Sequence, residues 1–572
     1  MSQIQDLVYA IEVGALRVWI LRLALMIMML GFGVYYAATQ FNGFGNPEDM
    51  DMAQLGRQIV MGRGYTTKFI RPTALKEMGL QSQNFTPGQG DFPETVQPPV
   101  YPYLLAGLFK FSGANFEVPL DHLRELHIFK PELSVVIFNT ILLLLALVVF
   151  YVWMTRAFDN RIAIVSCVFV VFSDLMWNFA ISGLPVALLM LLVSLIGLLI
   201  CEAALADEVE NSVLPPVFMA LAGLVLGVAI LTRYSMLALY IPFVGLGFLG
   251  FSRRGSCGFL AAFVPAVIFA PWLIRNFNLT GNFFGYAWLA VYANDSTIWR
   301  LFAESLQEMT QLRAFMHTFS HGVVNILANL GVLFGGLLMP VFFIGSIFHA
   351  FRRPCVQTPR WFWIASLLLL ICFNAPILND QSPSEKIELN SLFVLFPVLA
   401  GYGTAFLFIL IDRLKLPSPI LQWPIVVLVA AFQMAPLGFR VFQRSPALYA
   451  YPPYFPPVMV LMKSWIKPQE VMVSDIPWAC AWYSDRITLW LPKQRKDMEE
   501  FNDFHYRVVA MLLTPESRNR RMFSEIENGE YSDWAGLIKR DDFRELPLPR
   551  FTPLPPNKGD YFIFADHVRW PQ

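Results

Sequence analysis

The chain has little charge and no excess of either sign: 42 Lys and Arg stand against 42 Asp and Glu, and charged residues make up only 15% of 572. A nucleic-acid binder needs a concentrated positive surface, so this balance argues against DNA or RNA as partner. Cysteine is scarce, with 6 copies spread through or beside apolar runs and none spaced as CxxC. Only Cys480 falls in a segment of outer, soluble character, so no extracytoplasmic disulfide framework is expected. No Gly-rich phosphate loop and no dinucleotide fingerprint occurs. His317 and His321 have ligand spacing but lack the intervening acid of the zinc-protease motif, so we read them as chance spacing or an interfacial pair.

What is abundant is apolar: 56% of the residues, in recurring runs of about 18 to 22. The class is a polytopic α-helical membrane protein. Spans are expected near 19–39, 132–153, 162–180, 183–203, 214–231, 235–250, 257–275, 322–349, 361–378, 389–411 and 420–438, about eleven in all. The first run is too long for a signal-peptide core and is read as a retained helix. Short-loop basic residues (Arg156, Arg161, Arg253, Arg254, Arg352, Arg353, Arg360, Arg413, Lys415) all fall on one side if the N-terminus is cytoplasmic. The first loop, the loop near 276–320 and the C-terminal tail then lie outside the cytoplasm, as expected of a cell inner membrane protein with its chemistry on the outer face.

The chain divides into a membrane domain, 1–440, and a tail, 441–572, where mixed, proline-rich segments replace long apolar runs. The tail reads as a small extracytoplasmic α/β domain with strands at Val471–Ser474, Ile487–Leu491, Val508–Leu513 and Tyr561–Ala565, and a helix near 496–502. The first loop, about 40–131, opens with Glu48, Asp49 and Asp51. The apolar spacing of Met52, Leu55, Ile59 and Val60 predicts an amphipathic helix in the membrane interface with these acids at its N-terminus. A carboxylate there can take a proton from a hydroxyl or amine. Arg71, Arg233, Arg275 and Lys386 map to outer helix ends or loops, against the positive-inside bias. Such residues can snorkel to lipid or converge on a phosphate, whose oxygens the arginine fork fits. Asp91, Glu94, Gln97 and Tyr101 are possible substrate-side groups.

These residues carry a resemblance. Glu48-Asp49-Met50-Asp51-Met52-Ala53-Gln54-Leu55-Gly56-Arg57, then Gly62-Arg63-Gly64-Tyr65, Phe69-Ile70-Arg71-Pro72 and Gln97-Pro98-Pro99-Val100-Tyr101-Pro102 resemble the first-loop signature of GT-C membrane glycosyltransferases. The group is glycosyltransferase family 39 with its bacterial relatives, similar to protein O-mannosyltransferases and to the aminoarabinose transferase of lipid A. Leu231-Thr232-Arg233-Tyr234-Ser235, Pro271-Trp272-Leu273-Ile274-Arg275-Asn276 and, in the tail, Ala481-Trp482-Tyr483-Ser484-Asp485-Arg486 extend the likeness over nearly the whole chain. It implies a polyprenyl-phosphate sugar donor, a first-loop acid as general base, basic residues on the donor phosphate, and inversion at the anomeric carbon. Carried over, Glu48 or Asp49 stands at the base position with Asp51 close by, and Glu48 stands where the family more often has Asp. Gln97 stands where the aminoarabinose group has Lys, which weakens lipid A as acceptor and leaves the acceptor (envelope lipid, glycan or protein) open. The resemblance implies no metal or other cofactor, although three clustered acids can also hold a divalent cation. The competing class is a transporter or flippase of a lipid-linked or small polar substrate, which would also use vestibule charges.

Overall fold

The structure is a computed structural model, and it describes residues 15–75, 92–118, 128–209, 211–291, 296–301, 312–378, 390–442, 456–504, 506–518, 531–538, 548–554 and 561–570. In chain order the main helices are α1 (Ala15–Gln40), α2 (Pro47–Val60), α3 (Val100–Ser112), α4 (Lys130–Ala157), α5 (Asn160–Val171), α6 (Asp174–Ala180), α7 (Val186–Asp207), α8 (Leu214–Thr232), α9 (Tyr240–Leu249), α10 (Arg254–Thr280), α11 (Leu312–Ala328), α12 (Leu338–Ile347), α13 (Pro354–Asn374), α14 (Phe396–Arg413), α15 (Gln422–Phe442), α16 (Pro456–Trp465) and α17 (Arg495–Phe504).

Among the described residues seven helices are long and apolar enough to cross a membrane: α4, α7, α8, α10, α13, α14 with its preceding turn, and α15. The bent pair α5 and α6 makes an eighth if counted as one span, with a 66° turn between its halves. Three expected spans differ from the simple reading. The run at 162–180 is this bent pair. The run at 235–250 is a 3₁₀ turn followed by the short α9, too short at about 1.5 Å per residue to span a core of about 30 Å. The run at 322–349 is broken at Gly335 and Gly336, whose φ values of 63° and 152° no helix accepts. The run at 19–39 is helical along its whole length, within the 26-residue α1.

Close helix packing builds the bundle. Gly197 in α7 has no side chain because Trp153 of α4 occupies the space, with its ring 2.5 Å from where a Cβ would stand. The basic short loops gather at one end, where Arg353 donates to the Phe158 carbonyl at 2.5 Å, Arg161 bonds Gln422, and Arg156 pairs with Glu202 at 3.1 Å.

Beyond the bundle the strands are β1 (Thr66–Thr67), β2 (Phe69–Ile70), β3 (Phe92–Pro93), β4 (Val471–Ser474), β5 (Ile487–Trp490), β6 (Val508–Leu513), β7 (Arg550–Leu554) and β8 (Tyr561–Ala565). β1 and β3 pair antiparallel within the first loop. The others form one six-stranded sheet in the order β2-β5-β4-β6-β8-β7, parallel from β2 to β6 and antiparallel from β6 to β7. All strands of the tail expected from pattern are present, and α17 covers the expected helix. Two strands are additional: β7, and the edge strand β2, which the first loop contributes to the sheet of the tail.

Candidate functional site

α2 begins after Asn46, whose extended backbone stops the preceding chain, and Pro47 presets the first helical turn. Glu48 and Asp49 follow in that turn, where the exposed amides of a helix start favour negative charge. The expectation of an interfacial helix needs correcting, because Asp49 to Gln58 are all buried. α3 packs on one side, close enough that a Cβ on Gly56 would stand 3.0 Å from that of Leu105. The tail segment Pro477–Ser484 packs on another. The polar face that composition assigns to water is instead satisfied by side chains from distant parts of the chain.

The three acids have three sets of partners. Glu48 Oε2 pairs with Arg233 Nη2 at 3.1 Å. Burial pushes its pKa up, and the Arg233 guanidinium offsets part of that. Asp49 accepts from Asn46 Nδ2 at 3.1 Å and lines a cavity of about 280 Å³. Asp51 accepts from Arg71 Nη2 at 2.6 Å, from Gln97 Nε2 at 3.1 Å and from Gln54 Nε2 at 3.2 Å.

Arg71 extends the network, with its Nη1 3.5 Å from Glu94 Oε2 and its guanidinium 4.2 Å over the Phe69 ring. The other oxygen of Glu94 accepts the backbone N–H groups of Thr95, Val96 and Gln97 at 3.1, 2.6 and 3.0 Å, a nest of donors that fixes the turn before Pro98. Burial raises the Glu94 pKa against the pull of Arg71. Arg275 joins through the backbone: its Nη1 donates to the Glu94 carbonyl at 2.7 Å, and the guanidinium lies 4.5 Å over Trp272 and 5.4 Å over Tyr65. Tyr65 in turn donates to the Pro98 carbonyl at 2.9 Å.

The structure thus brings together Glu48, Asp51, Arg71, Arg233, Glu94, Gln97 and Arg275, with Asp49 on the cavity side. Tyr101 is turned elsewhere. It is fully buried and donates to Asn139 Oδ1 at 3.1 Å, while Asn139 Nδ2 donates to the carbonyls of Ser182 and Leu184 at 2.7 and 3.2 Å. It therefore braces the Ser182–Pro185 turn. Gly183 in that turn has no Cβ because Asp49 Cβ would lie 2.9 Å away and the Phe44 ring 3.0 Å away. Lys386 and Asp91 lie outside the described residues. Among the described residues no group of three or more His, Cys, Asp or Glu is arranged to hold a metal ion, and the acids of α2 diverge to separate partners.

One functional candidate is additional. Arg440, near the end of α15, lines the cavity with Asp49, pairs with Asp174 Oδ2 at 3.2 Å and bonds Asn178. The signal that singles out Arg71 and Arg233, a basic residue in a loop or helix end expected on the outer side, applies to it equally. It is overlooked when the last span is ended at 438.

The sequence matches no protein-family model and no curated protein. Solved structures resemble the whole architecture. The oligosaccharyltransferase of Archaeoglobus fulgidus in the apo form superposes with a TM-score of 0.56 at 11% identity, over 90% of this chain and 72% of that one. The same organism's oligosaccharyltransferase AglB, in complex with an inhibitory peptide and a dolichol-phosphate, gives 0.54 at 10% identity over the same shares. ArnT from Cupriavidus metallidurans, bound to undecaprenyl phosphate, gives 0.55 at 12% identity over 98% of this chain and all of that one (100%). The chain has the GT-C fold and is a polytopic membrane protein.

Proposed function

We propose that this protein is a glycosyltransferase that moves a sugar from a polyprenyl-phosphate donor to an acceptor at the outer face of the cell inner membrane, with its N-terminus cytoplasmic. The observation that carries the reading is the start of α2, where the half-buried Glu48 meets Arg233 and the buried Asp51 meets Arg71 within a GT-C fold. Neighbours of that fold bound to undecaprenyl phosphate and dolichol-phosphate support the donor class.

In the proposed reaction an acceptor hydroxyl or amine adds to the anomeric carbon while a carboxylate takes its proton. The bond to the donor's phosphate oxygen breaks, the polyprenyl phosphate leaves, and configuration inverts. Glu48 is the acid we assign as base. It holds the first-loop position, and a carboxylate with raised pKa is the better proton acceptor. Asp49, on the cavity wall, is placed to orient the acceptor. Asp51 is spent on Arg71, Gln97 and Gln54, so we assign it the task of holding Arg71. Arg71, Arg233 and Arg275, together with Lys386, are the candidates for the donor phosphate. Arg71 and Arg233 are paired with acids, and a donor phosphate that takes Arg233 as its partner frees Glu48 to act as base.

The test is transfer from radiolabelled polyprenyl-phosphate sugars to a membrane extract by purified protein. Label moving to product with wild type and not with Glu48→Gln supports the reading. No transfer from any donor, together with substrate movement across liposomes, supports the transporter or flippase instead.

A further inference from the structure

The helix that carries the acids is held from the tail, and the hold converges on one carboxylate. Asp485 stands just before β5 in the left-handed backbone region, at φ 54°, and is buried. Three cations of the first loop reach it: Lys68 Nζ at 2.6 Å, Arg57 Nη2 at 3.3 Å and Arg63 Nη1 at 3.5 Å. Arg57 belongs to the last turn of α2, and Lys68 joins β1 to β2. Arg57 also donates to the Trp482 carbonyl, and Lys68 to the carbonyl of Asp485 itself, each at 2.8 Å. Burial alone would raise the Asp485 pKa, but Arg57 and Lys68 outweigh it and hold the carboxyl below its usual range.

The consequence reaches the site through the sheet. Thr488 N donates to the Lys68 carbonyl at 2.8 Å, Phe69 and Ile70 pair with Thr488 and Leu489, and the next residue is Arg71, which holds Asp51. A two-residue edge strand has too few ladder bonds to hold its register alone. Its register depends on what fixes the residue before it.

We infer that Asp485 is a positioning residue for the proposed transfer: by gathering Arg57, Arg63 and Lys68 it fixes the far end of α2 and the strand before Arg71, and so sets where Arg71 stands against Asp51. The tail is on this account a structural part of the active site. The inference rests on the transferase reading for its activity arm and is independent of it for its structural arm.

Asp485→Asn in the full-length protein is the test, since Asn tolerates the left-handed backbone and only the charge is removed. Transfer, thermal unfolding and amide hydrogen exchange are read together. The expected result is a fall in kcat of about tenfold or more, faster exchange at Phe69 and Ile70, and wild-type exchange across Val508–Leu513. Lys68→Met produces the same pattern to a lesser degree, and it decides by the same criteria if Asp485→Asn fails to fold. Transfer at the wild-type rate overturns the inference, and so does lost transfer with wild-type exchange at Phe69 and Ile70. If wild type transfers from no polyprenyl-phosphate sugar, the transferase reading fails, while unchanged exchange in both variants would still reject the clamp.

Discussion

Glu48 and Asp51 stand one helical turn apart, yet their surroundings fit them for different tasks. Asp51 has three side-chain donors and is committed to them, whereas Glu48 has one guanidinium partner and a pKa raised by burial. A base of that kind works only when ionised, so transfer rises with pH along a limb set above the ordinary Glu value of about 4.3. Stability has the opposite sign. Between the ordinary and the raised pKa the folded state binds more protons than the unfolded state, so Glu48 makes stability fall as pH rises through that window. Rate and thermal midpoint measured across pH for wild type and Glu48→Gln check both slopes, and the variant loses both contributions. Tyr101 tests the other end of the scale. Tyr101→Phe removes the bond to Asn139, at a cost of about 1 kcal/mol, while transfer stays within about twofold because the hydroxyl braces a turn. A large loss of transfer without loss of stability would return Tyr101 to the substrate. The acids and the outer arginines were legible as residues out of place for charge or topology. Their pairing was not, since Glu48 with Arg233 and Asp51 with Arg71 span 185 and 20 positions and no local pattern records such a match.

Among the elements, α2 is the one whose environment a periodicity argument misjudges. Its polar and apolar residues alternate as an interfacial helix would, but α3 and the tail cover it, and ion pairs replace water on its polar face. The spans and tail strands were readable because long apolar runs and short β-rich runs carry their own signal. The breaks in 162–180 and 322–349 were not, because hydropathy averages over a bend. The turn at Gly183 offers a test at this scale. A methyl there meets Asp49 Cβ and the Phe44 ring inside contact distance, so Gly183→Ala must push the start of α2 away. The expected cost is about 1–3 kcal/mol in stability, with transfer lowered because Asp49 moves with its helix. Unfolding and transfer assays on the one variant report both, and unchanged values in both would show that the turn yields without moving α2.

At the scale of the whole molecule, the membrane bundle, the first loop and the tail meet around one aromatic residue. Trp482 of the tail is fully buried, donates to Glu132 Oε1 at 2.8 Å and packs on Phe44, Phe109, Phe116 and Phe129, while Glu132 Oε2 accepts the Phe44 N–H at 3.2 Å. The change of composition near residue 441 made the tail visible in the sequence, but its strand exchange with the first loop rests on four residues, Phe69 and Ile70 with Thr488 and Leu489, which no composition marks. Sugar transfer by this assembly with Glu48 as base is decided by purified full-length protein in detergent, given radiolabelled polyprenyl-phosphate sugars and a membrane extract. Label in product is expected with wild type, and a loss of about a hundredfold or more with Glu48→Gln, whose thermal midpoint near neutral pH is no lower than that of wild type. Equal transfer by the two proteins would contradict Glu48 as base.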